Sequence, residues 1–149
     1  MSKSNTWESD LLLLVFNNTT ASNIGDATGL VGSSTAGSLY VSLHTADPGE
    51  TGAQNTSEAT YTSYARVAVA RTSGGWTISG TAPTQAANTA TVSFPQCTGG
   101  SNTITHIGVG TASSGAGKLL YSGALTSSLA VSNNITPSFS AGALAITED

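Results

Sequence analysis

From Leu39 onward the apolar positions of the chain fall two apart. In LYVSLH, residues 39–44, Leu39, Val41 and Leu43 point one way and Tyr40, Ser42 and His44 the other, the period of a half-buried strand. DPGETG follows and ends it. Pro48 presets its own φ and the glycines admit positive φ, so a tight exposed turn is expected there. Comparable segments recur as SYARVAVAR (63–71), WTIS (76–79), TATVSF (89–94), TITHIGVG (103–110), KLLYSGAL (118–125), LAVSNNITPSF (129–139, broken at Asn133 and Asn134) and ALAIT (143–147), which makes eight strands with the first. Short strands between Gly, Ser, Asn and Pro clusters predict an all-β fold, a jelly roll or β-sandwich.

The first 20 residues read differently. NTWESDLLLLVF offers Asn5 as a helix N-cap with Glu8 three residues on, followed by good helix formers. Trp7, Leu11, Leu14 and Val15 share one face, while Leu12, Leu13 and Phe16 make the other faces apolar too, so a short N-terminal helix here needs cover on more than one side. The segment either packs on its own domain, as a helix or a buried strand, or is an arm that docks on a neighbouring subunit. Residues 17–38 carry turn formers and no sustained period, which reads as a linker with little structure. The expected organisation is a helical arm and linker over 1–38 and a β jelly-roll domain over 39–149.

Composition narrows the partners. Charged residues make up 8% of the chain, so the surface must be built from Ser, Thr, Asn and Gly. Such a surface costs little to desolvate against a large partner, and it is equally the ordinary coat of a β domain. The net charge is −4 and the cations Lys3, Arg66, Arg71 and Lys118 are scattered, which argues against nucleic acid as a ligand. The longest apolar run, LLLLVF at 11–16, is too short to span a bilayer, and Glu8 and Asp10 before it do not suit a signal peptide. No membrane association is expected. A single cysteine, Cys97, permits no intrachain disulfide.

Candidate chemistry is sparse. His44, Asp47 and Glu50 sit near one turn, but no second His or Cys cluster completes a metal-ligand set, and solvated turn carboxylates with a strand-face histidine are the expected arrangement. Cys97 and His106 are a nucleophile and base by residue type alone. No local signature frames Cys97, and a Gly-x-Ser-x-Gly elbow is absent. The glycine-rich stretches do not match the spacing of a phosphate-binding loop. Neither catalytic residues, metal nor cofactor are expected. In YTSYARVAV, Tyr64 and Arg66 share the face opposite Val67 and Val69. Tyr and Arg are enriched at interface hot spots; the alternative is that Arg66 pairs one of the chain's few acids over the sheet.

The stretch LYVSLHTADPGETG, followed by EATYTSYARVAVAR and then TVSFP, resembles a family of short tailed-phage virion proteins, often labelled tail fibre proteins, that includes small capsid cement proteins. In that family a strand running into a Leu-x-Thr-Ala-Asp-Pro-Gly turn precedes an acidic residue and a Tyr-Ala-Arg-Val strand. The match runs from about Leu39 to the C-terminus, with a helical segment before it. The resemblance implies a jelly-roll cement (decoration) protein on the outer capsid surface of the virion. Its partners would be the major capsid protein and further copies of itself, as a dimer or trimer. We expect the contact surface to draw on Trp7, Leu11, Leu12, Leu14, Val15 and Phe16 of the N-terminal segment, on Asp47, Pro48 and Glu50 of the turn, and on Tyr64 and Arg66. The alternative within the same resemblance is a tail-fibre or receptor-binding module that holds host sugar on an exposed sheet face. Trp76, Tyr61, Tyr64 and Tyr121 lie mostly in strand patterns that predict burial, which favours the cement reading.

Overall fold

The computed structural model describes residues 2–81 and 84–148. One helix, α1 (Asn5–Asn17), precedes nine strands among these residues: β1 (Ser38–His44), β2 (Val67–Ala70), β3 (Trp76–Ser79), β4 (Thr84–Asn88), β5 (Val92–Ser93), β6 (Asn102–Gly110), β7 (Leu119–Val131), β8 (Ser138–Phe139) and β9 (Ala145–Glu148). They form sheets of order β2-β1-β6-β7, β3-β4-β9 and β5-β8. The protein is therefore all-β with one short N-terminal helix, as the period of two predicts. Two compact units share the chain: Met1–Ser38 with Ala70–Thr91 and Ser140–Asp149, and Leu39–Val69 with Val92–Phe139.

In the first unit α1 begins one residue earlier than the sequence suggests. Ser4, with extended backbone (φ −87, ψ 150), is the N-cap, and its hydroxyl accepts the Trp7 N–H at 3.3 Å, leaving Asn5 as the first helical residue. At the other end Asn18 adopts a left-handed conformation (φ 56) and its N–H bonds the Leu13 carbonyl. Arg71 closes that terminus, its Nε donating to Val15 O at 2.7 Å and its Nη2 to Leu14 O at 2.8 Å, where the helix dipole favours a cation. Leu12 and Phe16 are fully buried, and Phe16 meets Trp76 edge-on with ring centroids 4.8 Å apart. Helix α1 packs against β3 and β4.

Strand β4 escapes the hydrophobic pattern because TQAAN holds no large apolar residue. Its Ala86 and Ala87 are nonetheless buried, and small side chains at a sheet centre let a helix with bulky residues approach closely. Buried Asn88 ties the strand to its surroundings: its Nδ2 donates to Ala90 O and Ser140 O at 2.8 and 2.9 Å, and its Oδ1 accepts the Leu144 N–H at 2.9 Å. The segment before β1 forms no regular element, yet it is pinned. Ala21 and Leu30 form an antiparallel bridge, with Gly29 (φ +73) so near that a Cβ there would lie 2.1 Å from Ala21 O. Asn18 further exchanges side-chain bonds with Ser33 O and Ser33 N at 2.7 and 2.8 Å.

In the second unit β1 lies between β2 and β6, so both its hydrogen-bonding edges are paired. Val41, Leu43, Ser42 and His44 are all fully buried. The β1–β6 register is antiparallel and aligns His44 with His106. The two segments expected at 118–125 and from 129 are one strand, β7, which pairs Ala124 with His106 and Leu129 with Ile104, so that 125–128 bulge opposite Thr105 alone. Beyond Asn133 and Asn134 only Ser138 and Phe139 are in a strand, β8, which pairs with β5. Aromatic rings run through the core of this unit: Tyr61 to Tyr64, Tyr64 to Phe94 and Phe94 to Phe139, with centroids 5.3, 6.2 and 6.2 Å apart.

Candidate functional site

The second unit holds a connected set of buried polar groups, and it starts on the face of β1 opposite Val41 and Leu43. Ser42 Oγ lies 2.9 Å from His44 Nε2, and His44 Nδ1 lies 2.8 Å from the Thr56 carbonyl. A carbonyl only accepts, so Nδ1 carries the proton and the Ser42 hydroxyl donates to Nε2. Burial lowers the pKa of His44; the Thr56 carbonyl and the Glu58 carboxylate oppose this but do not reverse it. Gly108 of β6 makes the room, since a Cβ there would sit 2.6 Å from His44 Nε2 and 2.8 Å from Ser42 Oγ. By distance this is a serine–histidine pair of the kind that activates nucleophiles. Both residues are 0% exposed, so it acts as a neutral structural link.

Next to it Arg66 grips Glu58 with two prongs, Nε to Oε1 at 2.6 Å and Nη2 to Oε2 at 2.8 Å. The same guanidinium donates to Ala112 O at 2.9 Å and Gly115 O at 2.6 Å, which fixes the β6–β7 connection. Tyr64 Oη donates to Glu58 Oε1 at 2.8 Å and accepts the Leu43 N–H at 3.0 Å. The Arg66 pKa is raised, chiefly by its bond to Glu58, and burial pushes the Tyr64 hydroxyl far above the usual phenol range. Of the two readings of the Tyr64–Arg66 face, the pairing of Arg66 with an acid is present within the chain. Glu58 is the acidic residue that stands between the turn and the Tyr-Ala-Arg-Val strand, so both members of the pair were visible in the sequence while their pairing was not.

Gln54, which the sequence did not single out, completes the set. Its Nε2 donates to Tyr40 O at 2.9 Å, its Oε1 accepts the Ala112 N–H at 3.1 Å, and its backbone N–H reaches Ala116 O at 2.9 Å. Its side chain lies so close to Gly110 that a Cβ there would come within 2.4 Å of it.

The turn expected at DPGETG is present. Asp47 Oδ1 accepts the Gly49 N–H at 2.9 Å, Gly49 has φ 69, and Gly52 N–H returns to Gly49 O at 3.1 Å. Pro48 is buried, whereas Asp47 and Glu50 are exposed. Asp47, Gly49, Glu50 and Gly52, together with His106 and the stretch 119–124 of β7, line a cleft of about 550 Å³. Among the described residues no group of three His, Cys, Asp or Glu side chains is placed to hold a metal ion. Cys97 is fully buried and directs its thiol at Gly99 O (3.3 Å), while His106 Nδ1 lies 2.9 Å from Thr105 Oγ1.

The remaining expected contact residues lie on α1. Trp7, Leu11, Leu14 and Val15 are half-buried, and Leu12 and Phe16 are wholly inside their own unit. The structure thus brings Asp47 and Glu50 together at one cleft and Tyr64 and Arg66 together at Glu58. No helix among the described residues is long and apolar enough to cross a membrane.

A family model described as podophage GP4 fiber I protein gp80 matches residues 2–147. No curated protein matches the chain.

Proposed function

We propose a role from one premise: this chain belongs to the family described as podophage GP4 fiber I protein gp80, a structural protein of the phage virion. The protein is a small subunit of an external fibre that works by adhesion, without a reactive centre. The family description moves the fibre reading ahead of the cement reading favoured by the resemblance. The observation that carries an adhesive role is that three of the four exposed large apolar side chains among the described residues, Ile24 (37%), Leu30 (42%) and Val31 (62%), belong to one pinned segment of the first unit. Apolar side chains exposed on a segment held rigid offer a contact surface at little ordering cost. Replacing the three by Ser should abolish incorporation into particles in a complementation assay while leaving the purified protein folded. Normal incorporation of that variant would exclude this surface.

A second reading, a cement protein on the outer face of the major capsid protein shell, is favoured by the weakly charged, hydroxyl-rich surface, which suits permanent docking on a large body. Several linked copies would gain avidity on a lattice, and binding only the assembled shell would stabilise it by mass action. In either reading the half-buried Trp7, Leu11, Leu14, Val15 and Tyr64 and the exposed Asp47 and Glu50 supply contacts, whereas the buried Leu12, Phe16, Pro48 and Arg66 act from inside. Copy number in purified virions separates the two. A handful of copies per particle supports the fibre, and hundreds support the shell.

A further inference from the structure

The buried side-chain polar atoms without a hydrogen-bond partner among the described residues are Glu8 Oε2, Trp76 Nε1 and Thr84 Oγ1, and all three belong to α1 and to the strands β3 and β4 that it packs on. The second unit buries Ser42, His44, Gln54 and Arg66 and leaves none of their polar atoms in that state. Glu8 is 3% exposed and Thr84 1%, and an unmatched polar group opposes the packing that buries it. Their placement follows from the backbone. Glu8, Leu12 and Phe16, spaced by four, are the buried stripe of α1, and Phe16 meets Trp76. Trp76 lies opposite Asn88, and Asn88, Ala86 and Thr84 alternate onto that same face of the sheet. Lys3 reaches Glu148 at 3.0 Å, and Glu148 is the register partner of Thr84. The helix therefore runs along β4 with its N-terminal end at Thr84. Glu8 is about 12 Å down the helix axis from Phe16 and Thr84 about 13 Å along the strand from Asn88, so the two unmatched oxygens fall at the same end.

The two ends of α1 are held unequally. Arg71 binds the Leu14 and Val15 carbonyls, Asn18 caps the last turn, and the Phe16 and Trp76 rings interlock. At the other end stand the exposed Ser4 cap at 3.3 Å and the Lys3–Glu148 pair, whose lysine side chain is 33% exposed and so is screened by solvent. We propose that residues 2–11 are a strap, which opens from the Thr84 end of the β3-β4-β9 sheet while the C-terminal half of α1 stays anchored. The Lys3–Glu148 pair is its clip, and the buried Glu8 and Thr84 groups favour its release. Opening hydrates both unmatched oxygens and turns Trp7 and Leu11 outward. A partner shifts such an equilibrium only by preferring the open form. On the adhesive role given above, on which this step rests, a neighbouring virion subunit gains that preference by covering Trp7 and Leu11 with an apolar groove and offering Glu8 the donor that its own sheet does not give.

The test is native-state hydrogen exchange on the full chain, comparing the amides of 8–11 with those of 14–17. Opening of the strap alone should make the first set exchange at least about tenfold faster than the second. Fraying of any helix end contributes to that difference, so the variants decide. Glu8→Met and Thr84→Val, which put apolar groups of similar size in place of the unmatched ones, should each slow exchange at 8–11 severalfold, whereas Lys3→Gln and raised salt should quicken it. If Glu8 instead served the positive end of the helix dipole, or were joined to Thr84 through a bound water, Glu8→Met would quicken exchange. That sign would overturn the proposal, and so would equal slowing across the whole of α1 and β4. The double variant Glu8→Met/Thr84→Val should also enter particles at a severalfold lower level in the complementation assay. Normal entry of a variant whose strap exchange is slowed would overturn the strap's part in assembly and leave the contact surface at Ile24, Leu30 and Val31 standing.

Discussion

In the first unit Leu12, Phe16 and Trp76 are the largest fully buried side chains, with Thr84 and Asn88 the polar ones beside them; in the second, Ser42, His44 and Gln54 lie as deep as Val41 and Leu43. The two regions thus solve burial differently. The helix side of the first fills space with apolar groups, so each lost atom there costs contacts in proportion. The other buries donors and acceptors that must all be matched, so the loss of one partner strands the rest. The difference can be read spectroscopically, because both tryptophans, Trp7 and Trp76, fall in the first unit and all four tyrosines, Tyr40, Tyr61, Tyr64 and Tyr121, in the second.

The largest expected effect is at Arg66, whose side chain is 2% exposed against 15% for Glu58. Arg66→Met leaves the carboxylate without its counter-ion and the Ala112 and Gly115 carbonyls without the guanidinium donor, which should cost about 3–5 kcal/mol. Adding Glu58→Gln removes the stranded charge and keeps an acceptor for Tyr64, so the double variant should recover at least half of that loss. A urea titration followed by the near-ultraviolet tyrosine signal measures both. If single and double variants were equally unstable, the network would count only as packing, and the contrast between the regions would fail.

Leu12 provides the graded counterpart. Leu12→Ala should cost roughly 3 kcal/mol through lost transfer free energy and the cavity left behind. Leu12→Met, which nearly conserves volume, should cost less than about 1.5 kcal/mol. Tryptophan fluorescence in urea reads the pair. An abrupt loss for both substitutions would mean that α1 is held by something more specific than apolar contact.

A smaller effect comes from pH, and it sharpens the contrast from the polar side. Burial holds the pKa of His44 below the ordinary 6.5, so the unfolded chain takes up a proton before the folded one does. The stabilisation is fully present above that value and is lost as pH falls below it. The tyrosine-detected stability should therefore decline below pH 6.5, and His44→Gln should flatten that decline while lowering stability at neutral pH. Burial also pushes Tyr61 up to about 12, with the neighbouring Cys97 thiol adding to it. The unfolded phenol ionises first, so stability should fall again once pH passes about 10.

How much of this was legible in the sequence follows the same division. The period of two located β1, β3 and β6, and the Pro-Gly pair located the turn at Asp47, because both signals are local. Strand β4 was not legible. TQAAN owes its place to the helix it must accommodate, and small residues give no periodic signal. The break expected between 125 and 129 is a bulge within one strand, since a turn signal and a bulge signal draw on the same Gly, Ser and Thr residues. At the site, Tyr64 and Arg66 stood out by type, yet the groups they hold, Leu43, Ala112 and Gly115, are distant in sequence and mostly backbone. Ser42 and His44 read as a polar outer face, and their burial follows only from groups distant in sequence that lie against them, the Thr56 carbonyl on His44 and Gly108 of β6 beside both.

The smallest effect distinguishes two adjacent residues. NTWESD offered Asn5 as the helix cap, but the hydroxyl that accepts the Trp7 N–H belongs to Ser4, and Asn5 is exposed within the first turn. Ser4→Ala should therefore cost about 1 kcal/mol, while Asn5→Ala, which removes no cap, should change stability by less than about 0.5 kcal/mol. Both are measured by tryptophan fluorescence in urea, beside Leu12→Ala. The order Leu12 above Ser4 above Asn5 is what a packed helix requires, because its stability comes mainly from the buried face and only secondarily from the terminus. Were Asn5→Ala the more damaging of the two cap variants, the helix would start where the sequence alone placed it, and the hydrogen bond from Trp7 to Ser4 would carry no weight in holding the first turn.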